Sequence, residues 1–308
     1  MKHKDRKSGY LMIFLAGVFW GMIGLFSTEI NRCGVNSAGT ALIRMTFCAL
    51  FLIPVLLVTG GPARFKIDRR GLLTAACLGV FAQAFFNISY AAAIEQTGMA
   101  AAAVLLYTAP VFVAVMSRIF FHEKISSRKR IALLINIFGC VLTVTGGTFS
   151  LSGLSLSGIF FGIAAGFLYA LITIISTAGL KDYDPLTITF YSFTFGAAAI
   201  AVLTHPFANI AAAFSPRLLL LSIGFGIIPT FCAYFFFMNG LTHDLETSKV
   251  PVIASVETIV AALIGVLAFH EDAGPIRVLG IAVVVFSIAL MNLNLTRPAD
   301  APAAHNSQ

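Results

Sequence analysis

Residues 120–123 read FFHE, and residues 268–271, which lie 148 positions further along the chain, read AFHE. Each tetrapeptide closes a long apolar run, so the same signal stands at the same place in two halves of the sequence. Two further matches share an offset of 149, namely residues 17–20 with 166–169 and residues 27–28 with 176–177. A near-constant offset across several segments indicates an internal duplication.

The composition around these motifs is typical of a protein surrounded by lipid. Of the 308 residues, 58% are hydrophobic and only 11% are charged, and the mean hydropathy is +0.93. Soluble domains carry about 25% charged residues, which they need to build a water-facing surface. At roughly 20 apolar residues per crossing, the chain has room for about ten transmembrane helices.

The apolar segments divide evenly between the two halves. Ten are predicted, at 10–30, 37–58, 72–94, 98–120, 130–147, 157–178, 185–204, 217–241, 247–268 and 276–295. The first repeat is predicted to cover residues 10–147 and the second repeat residues 157–295. A polar, disordered cytoplasmic tail is predicted at 296–308.

Five crossings in each repeat have a consequence for topology, because after an odd number the second copy must enter the membrane from the other side. The sequence therefore predicts an all-α integral membrane protein of ten transmembrane helices, arranged as two inverted five-helix repeats. His122-Glu123 and His270-Glu271 are then expected on opposite faces of the membrane.

The positive charges predict the orientation of the chain. Lys and Arg cluster at 2–7, 64–70 and 124–130, whereas the other side carries only Arg32, Arg217 and Arg277. Both termini of this multi-pass chain are therefore expected on the cytoplasmic side of the cell membrane. These clusters account for the net charge of +7, and no nucleic-acid partner is expected, because no basic face interleaved with aromatic residues is present.

Neither a cleaved leader nor a metal site is predicted. The basic start, residues 1–10, leads into a run long enough to cross the membrane and lacks a small-residue cleavage site, so the first helix is expected to be retained. The cysteines lack metal-site spacing and are expected to be core residues: Cys33, Cys48, Cys77, Cys140 and Cys232. No catalytic residue and no cofactor are predicted.

Three short motifs resemble those of one transporter family. Residues 121–126 (FHEKIS) are similar to "G-E-x-hydrophobic-S", residues 103–110 (AVLLYTAP) to "LLxxxxP", and residues 255–258 (SVET) to "L-E-P". With the two-repeat plan over about residues 10–295, the chain resembles the EamA-type transporters of the drug/metabolite transporter superfamily. Two kinds of departure stand out: His122 and His270 replace the usual Gly, and Thr258 replaces the usual Pro.

The resemblance implies a function as well as a fold. It implies export of amino acids, related metabolites or toxic organic compounds, commonly by proton coupling or exchange, although some relatives are importers. The expected partners are a small-molecule substrate and the lipid bilayer, with protons as a candidate coupling ion. Monomer and homodimer both stay open.

Glu257 is the most informative side chain, because it falls near the middle of the ninth segment. An ionisable group there costs about 2.5–3.5 kcal/mol on insertion scales, so it is expected to face the interior of the bundle. Desolvation disfavours a charged carboxylate, and a carboxyl that takes up and releases a proton is what a proton-coupled exporter needs. The alternative is a hydrogen bond that only holds helices together.

Arg44 lies in the second segment, on the external side of its middle. It could pair with a substrate carboxylate or with Glu29, or its side chain could extend to the membrane interface. A structural or topological role is favoured over substrate binding.

Further polar residues recur at helical spacing, which predicts faces that look into the bundle. These stripes are Gln83, Asn87 and Tyr90; Tyr169, Thr173 and Ser176; Thr230 and Tyr234; Trp20 and Ser27; with Tyr107 alone in the fourth segment. They are expected to line either a cavity or a helix interface. Trp20 and Tyr169 are far from the headgroup belt, which favours a cavity wall.

Prolines and the two His-Glu pairs complete the candidate features. Pro110, Pro229 and Pro251 predict bends that either gate or stay static. The His-Glu pairs are expected to cap helices or to form ion pairs with Lys124 and its neighbours, and metal binding is not expected.

The favoured function is a secondary transporter of small organic molecules, an exporter that works by alternating access. An importer with the same fold is the first alternative. A membrane enzyme acting on lipids would need a convergent nucleophile, metal or acid/base pair, which is not visible, and a sensor would need a signalling domain. A Walker A motif, which ATP-driven pumping would require, is also missing from the sequence.

Overall fold

Inside a bilayer each backbone N–H and C=O must bond within its own segment, so long apolar runs fold as helices. A computed structural model describes residues 6–147, 155–272 and 274–292, and within these ranges it contains ten long helices and no strand. They are α1 (Arg6–Arg32), α2 (Ser37–Phe65), α3 (Arg69–Thr97), α4 (Met99–Phe120), α5 (Ser127–Thr145), α6 (Leu156–Gly179), α7 (Pro185–Thr204), α8 (Pro216–Leu241), α9 (Thr247–Phe269) and α10 (Pro275–Asn292).

Eight of the ten helices are long and apolar enough to cross a membrane by themselves. The other two are α5, whose first turn carries Arg128, Lys129 and Arg130, and the shorter α10. The expected all-α plan of ten helices is confirmed. The tail predicted at 296–308 lies outside the described residues.

Helix starts follow capping residues rather than the ends of the apolar runs. The predicted third segment began at residue 72, but α3 begins at Arg69, because the Asp68 side chain accepts a hydrogen bond from the Gly71 amide at 2.8 Å. Further helices begin after a polar residue that bonds in the same way: Asn36, Ser126, Ser155, Asp184 and Ser215. Capping residues satisfy amides that a helix start leaves free.

Ion pairs join the two repeats at one end of the bundle, which we call the amino-terminal face because Arg6 lies there. Arg64 pairs with Asp184 at 3.3 Å, and Lys129 pairs with Glu246. The α2–α3 and α4–α5 connections of the first repeat therefore lie beside the α6–α7 and α8–α9 connections of the second repeat.

The other end of the bundle, the opposite face, brings the remaining connections together. The Asn36 amide donates to Asn209 Oδ1 at 2.8 Å, and the Arg32 guanidinium lies 5.4 Å from the Phe269 ring centre. Ser157, in the first turn of α6, donates to Gln96 at 2.5 Å. Since α1 starts on the amino-terminal face and α6 starts on the opposite face, the predicted inversion of the repeats is confirmed.

Three hydrogen bonds across the repeats join residues that are 151 positions apart. They are Gln83 Nε2 to Tyr234 Oη at 2.5 Å, Tyr107 Oη with Thr258 Oγ1 at 3.2 Å, and Asn136 Nδ2 to Ser287 Oγ at 2.9 Å. This separation is one helical turn more than the repeat offset of 148. Near a two-fold axis, a side chain of one repeat contacts its counterpart in the other repeat or a residue one turn away from that counterpart. These bonds therefore mark the pseudo-two-fold axis between the repeats.

Both repeats also carry a π-helical segment at the same place. It covers Leu78–Phe85 in α3 and Gly226–Cys232 in α8, and the two starts are 148 residues apart. Pro229 lies inside the second segment, where the looser hydrogen-bonding pattern accommodates a residue without an N–H. Thr230 Oγ1 donates to the Phe225 carbonyl at 2.7 Å and is fully buried.

Close approach of helix backbones holds these segments in place. A Cβ atom at Gly79 would lie 2.2 Å from the Ser192 carbonyl oxygen of α7, and one at Gly226 would lie 2.6 Å from Phe47 Cβ of α2. Small residues allow such contact between helices in a bilayer. The glycines therefore fix α3 against α7 and α8 against α2.

The His-Glu pairs follow the ends of α4 and α9 with a shared backbone geometry. His122 and His270 each have φ of 54°, in the left-handed region. This explains why the family pattern has Gly at these positions. Glu123 accepts hydrogen bonds from the Thr247 and Ser248 amides, and Glu271 pairs with Arg277 at 2.8 Å.

We expect His122→Gly and His270→Gly each to raise the free energy of unfolding by about 1 kcal/mol, because a side chain at a left-handed position carries a steric cost. Thermal unfolding in detergent measures the effect. His243→Gly is the control, because His243 has no positive φ, and this substitution should destabilise the protein. Equal losses of unfolding free energy from all three substitutions would contradict the explanation from backbone geometry.

Candidate functional site

A cavity of about 490 Å³ lies between the two repeats. It runs from Trp20, near the middle of the bundle, to Asn31, Ser37 and Met99 at the opposite face. Binding sites for small organic molecules typically enclose 300–1,000 Å³. The cavity is therefore large enough for a metabolite or a drug-sized molecule.

The space closes toward the amino-terminal face. On that side of Trp20 and Tyr107 lies a pocket of about 30 Å³, bounded by Val113, Val250 and Pro251. Such a volume holds about one or two water molecules. The structure is therefore open to the opposite face and closed to the amino-terminal face.

Nine of the ten candidate residues predicted from sequence line the larger cavity: Trp20, Arg44, Gln83, Asn87, Tyr90, Tyr107, Tyr169, Tyr234 and Glu257. Thr230 does not, because its hydroxyl bonds within α8. Of the remaining stripe residues, Ser27 lines the cavity and Thr173 lines the small pocket, whereas Ser176 lines neither.

Two helices break beside the cavity at equivalent positions. α4 is interrupted at Tyr107–Thr108 and α9 at Ser255, which lies 148 residues after Tyr107. α1 also breaks, at Gly21–Met22, directly after Trp20. The breaks in α4 and α9 lie near Pro110 and Pro251, where bends were predicted. Discontinuous helices with free backbone groups are a recurring feature of transporter binding sites.

The break in α9 places Glu257 in the first turn of the helical segment Val256–Phe269. Free amides and the helix dipole favour a negative charge at such a position. The only side chain bonded to the Glu257 carboxylate in the described part of the chain is Tyr169, whose hydroxyl donates at a long 3.4 Å. The acid is therefore loosely held and faces the cavity.

Aromatic rings form the closed end of the cavity. The Trp20 ring lies 5.5 Å from Tyr234, 6.4 Å from Tyr169 and 4.9 Å from Phe237. Offset and edge-on contacts of this kind add about 0.5–1.5 kcal/mol per pair to simple burial. Trp20 and Tyr169 both lie on the cavity wall.

Polar groups beside this wall are partly satisfied. Gln83 donates to Tyr234, while its Oε1 atom is buried without a hydrogen-bond partner among the described residues. Asn87 Nδ2 donates to the Gln83 backbone carbonyl at 2.7 Å, and the side-chain oxygen of Asn87 takes no part in this bond. These two amides provide a spare acceptor next to the cavity.

The suggested pairing of Arg44 with Glu29 is wrong. Glu29 pairs with Arg32 and Arg217, each at 2.5 Å, at the opposite face. Arg44 is 6% exposed and lies on the cavity wall, and it donates no hydrogen bond to any residue that the structure describes.

Sequence reasoning missed several contributors. Asn136 of α5 donates to Ser255 Oγ at 2.7 Å as well as to Ser287, so it ties the break in α9 to α10. Asn31, Thr40 and Phe86 also line the cavity. An asparagine inside an apolar segment was the available signal for Asn136.

Charged residues close the amino-terminal face, and we call Glu123, Lys129, Glu246 and Lys249 the amino-terminal cluster. Glu123 accepts hydrogen bonds from the first amides of α9, at 2.5 Å from Thr247 and 3.0 Å from Ser248. Glu246 pairs with Lys129 and, at 2.7 Å, with Lys249. The cluster therefore joins the α4–α5 connection of the first repeat to the start of α9.

Opposing effects act on Glu246 in the α8–α9 connection. Burial disfavours its carboxylate, but the hydrogen bonds and charges of Lys129 and Lys249 outweigh burial and hold its pKa below the ordinary value of 4.5. The ion pairs therefore contribute stability above that value and lose it as pH falls through the lowered pKa.

The described part of the opposite face lacks an equivalent cluster. At the offset of 148, Glu123 and Lys129 correspond to Glu271 and Arg277, but Glu246 corresponds to Gly98. Lys249 similarly corresponds to an alanine, Ala101. Glu271 and Arg277 pair with each other at 2.8 Å, which agrees with the cavity being open on their side.

Known proteins that resemble the chain share its length and plan. An uncharacterized transporter of Archaeoglobus fulgidus is 28% identical over 283 residues, covering 92% of this chain and 95% of the relative. The uncharacterized inner membrane transporter YicL of Salmonella typhimurium is 23% identical over 301 residues, covering 96% and 98%. A crystal structure superposes with a TM-score of 0.78 at 16% identity over 94% of this chain and 97% of the other, which shows a common fold.

The family model described as the EamA-like transporter family matches residues 7–145 and again residues 156–293. The two matches follow the repeats seen in the fold, and together they cover nearly the whole chain. With its ten helices and its central cavity, this multi-pass membrane protein belongs to the EamA-like transporter family.

Proposed function

We propose that this transporter exports small organic molecules from the cytoplasm by alternating access. The observation that carries the proposal is the cavity of about 490 Å³ between inverted repeats, open at one face and closed at the other by the amino-terminal cluster. Rocking of the two repeats would open the closed face and shut the open one.

The orientation in this proposal comes from the positive charges, which favour the amino-terminal face on the cytoplasmic side. The structure would then represent the outward-open state, after substrate release. The same cycle driven by the reverse gradient would make the protein an importer, so the driving force decides direction.

Glu257 is the proposed proton carrier. It is the only Asp or Glu on the cavity wall among the described residues, and it also borders the small pocket on the closed side. A carboxyl that contacts both spaces can exchange protons with either side as the repeats rock. Ionisable residues in the membrane interior commonly mark such pathways.

Reconstitution tests the proposed function. Full-length protein in proteoliposomes is given an inside-acid pH gradient, and uptake of labelled amino acids, nucleosides and cationic drugs is measured. We expect at least one class to move against its gradient and to collapse the pH gradient. If no class of compound moves together with protons, but counterflow in neutral buffer is intact, proton coupling is refuted. If counterflow is lost as well, transport of these classes is refuted.

A further inference from the structure

Arg44 has an environment that a structural arginine does not have. It is 94% buried within α2, and it lines the cavity. The three arginines at the opposite face have carboxylate partners, namely Arg32 and Arg217 with Glu29, and Arg277 with Glu271. Arg44 forms no ion pair or hydrogen bond with the described residues.

A cation at this depth without a protein partner is costly, because no hydrogen-bonding group of the described chain replaces the hydration that it loses on burial. The second repeat does without the charge, since Ser192 stands 148 residues after Arg44. The pseudo-symmetry therefore does not require a guanidinium here. A negatively charged ligand in the cavity would supply the missing partner.

The charge balance of the cavity narrows the type of ligand. Arg44 is the only Lys or Arg on the described cavity wall and Glu257 is the only Asp or Glu, so a ligand with a single negative charge matches the cavity when Glu257 is protonated. A phosphate monoester would bring a second charge without a partner, at the desolvation cost of an isolated ion. The planar fork of a guanidinium fits the two oxygens of a carboxylate.

The other residues of the cavity wall indicate the chemistry of the rest of the ligand. Trp20, Phe86 and Tyr90 provide aromatic surface, and Ile23 and Ala41 provide aliphatic surface. Apolar contact with a few fixed polar groups is typical of sites for small molecules.

We infer that Arg44 is the anion subsite of the cavity and that the transported substrates are small organic monocarboxylates with an apolar or aromatic body. This inference rests on the proposed transport function and adds the substrate class to it. The carboxylate takes the place at Arg44 that no group of the described chain occupies.

Matched pairs of compounds test the subsite on the purified full-length chain. 3-Phenylpropionate is compared with 3-phenylpropionamide, and L-leucine with L-leucinamide, with phenyl phosphate as the dianion and phenethylamine as the carboxyl-free cation. Thermal shift and calorimetry measure binding. We expect carboxylates to bind and their amides to bind at least about tenfold more weakly, the scale of a charge-assisted hydrogen bond.

Variants of the chain distinguish carboxylate binding by Arg44 from a general effect of positive charge. Arg44→Gln should weaken carboxylate binding about tenfold or more, and Arg44→Lys should weaken it less, because it keeps the charge and loses the fork. Arg217→Gln is the matched control, because it removes an arginine at the opposite face that does not line the cavity. Without ligand, Arg44→Gln should raise the thermal midpoint, since it removes an unpaired buried charge.

Several outcomes would overturn the inference. They are equal binding of acid and amide, unchanged carboxylate binding to Arg44→Gln, binding of none of the carboxylates, and tighter binding of phenyl phosphate than of 3-phenylpropionate. A strong fall in the midpoint of ligand-free Arg44→Gln would identify a structural cation instead. Carboxylate binding that depends on Arg44 without counterflow in proteoliposomes would leave the subsite intact and refute the transport function.

Discussion

Glu257→Gln should abolish substrate-coupled proton movement, lowering it by about a hundredfold or more, the range lost with a proton-transferring group. Glutamine keeps the size of the side chain and can still accept from Tyr169, but it cannot release a proton. Because it imitates the neutral acid, substrate counterflow without a pH gradient should persist. Proton flux and counterflow in proteoliposomes separate these two effects.

Glu29→Gln is the matched control for this prediction. Glu29 in α1 is also a carboxylate, but its partners Arg32 and Arg217 lie at the opposite face and it does not line the cavity. Its loss should leave coupling unchanged. Unaltered substrate-driven proton flux in Glu257→Gln would rule out Glu257 as the proton carrier.

Glu246→Gln should shift the protein toward a state open to the amino-terminal face. Lys249 is 6% exposed and Lys129 is 12% exposed at their side chains, so removal of their shared carboxylate leaves two neighbouring buried cations. We expect the closed arrangement to lose about 1–3 kcal/mol, which changes the ratio of the two states by about 5- to 150-fold.

Cysteine labelling in a background without the five natural cysteines measures this shift. A cysteine at Val250, fully buried beside the small pocket, should gain reactivity from the amino-terminal face. A cysteine at Met99, 70% exposed at the mouth of the cavity, should lose reactivity from the opposite face. A gain of cysteine reactivity at position 250 without a loss of reactivity at position 99 would indicate local loosening instead of alternating access.

Arg64→Gln is the control for the cluster, because its pair with Asp184 lies on the same face but joins other connections. The lowered pKa of Glu246 adds a test of pH dependence. The cluster should stay closed above the ordinary value of 4.5 and open as pH falls through the lowered pKa, so its opening should not follow pH changes near neutrality.

Local chemistry explains why so much of the fold could be predicted. A helix in lipid bonds to itself, so hydropathy along the chain is enough to locate it. The 148-residue offset of the His-Glu pairs revealed the duplication, and an odd number of crossings then required inversion. The predicted helix ends differed from the observed ends by several residues where a capping residue such as Asp68 extended the helix beyond the apolar run.

The cavity residues could be predicted for a related reason. Gln83, Asn87 and Glu257 stand in apolar segments, where lipid offers them no partner, so they had to face inward. The same reasoning could not separate a cavity from a helix interface. Thr230 met the same criterion and proved to bond within α8, because a hydroxyl can satisfy itself on the backbone of its own helix.

The sequence by itself determined the ten helices, their inverted duplication and the polar residues that avoid lipid, because these follow from the chemistry of each segment. Only the tertiary structure decided that α1 breaks beside the cavity, that Arg44 has no partner among the described residues, and that Glu123 reaches the start of α9. These features depend on contacts between residues far apart in the chain, about 124 positions for Glu123 and Thr247. Whether a charge is paired depends on which helices meet, and the tertiary structure alone decides that.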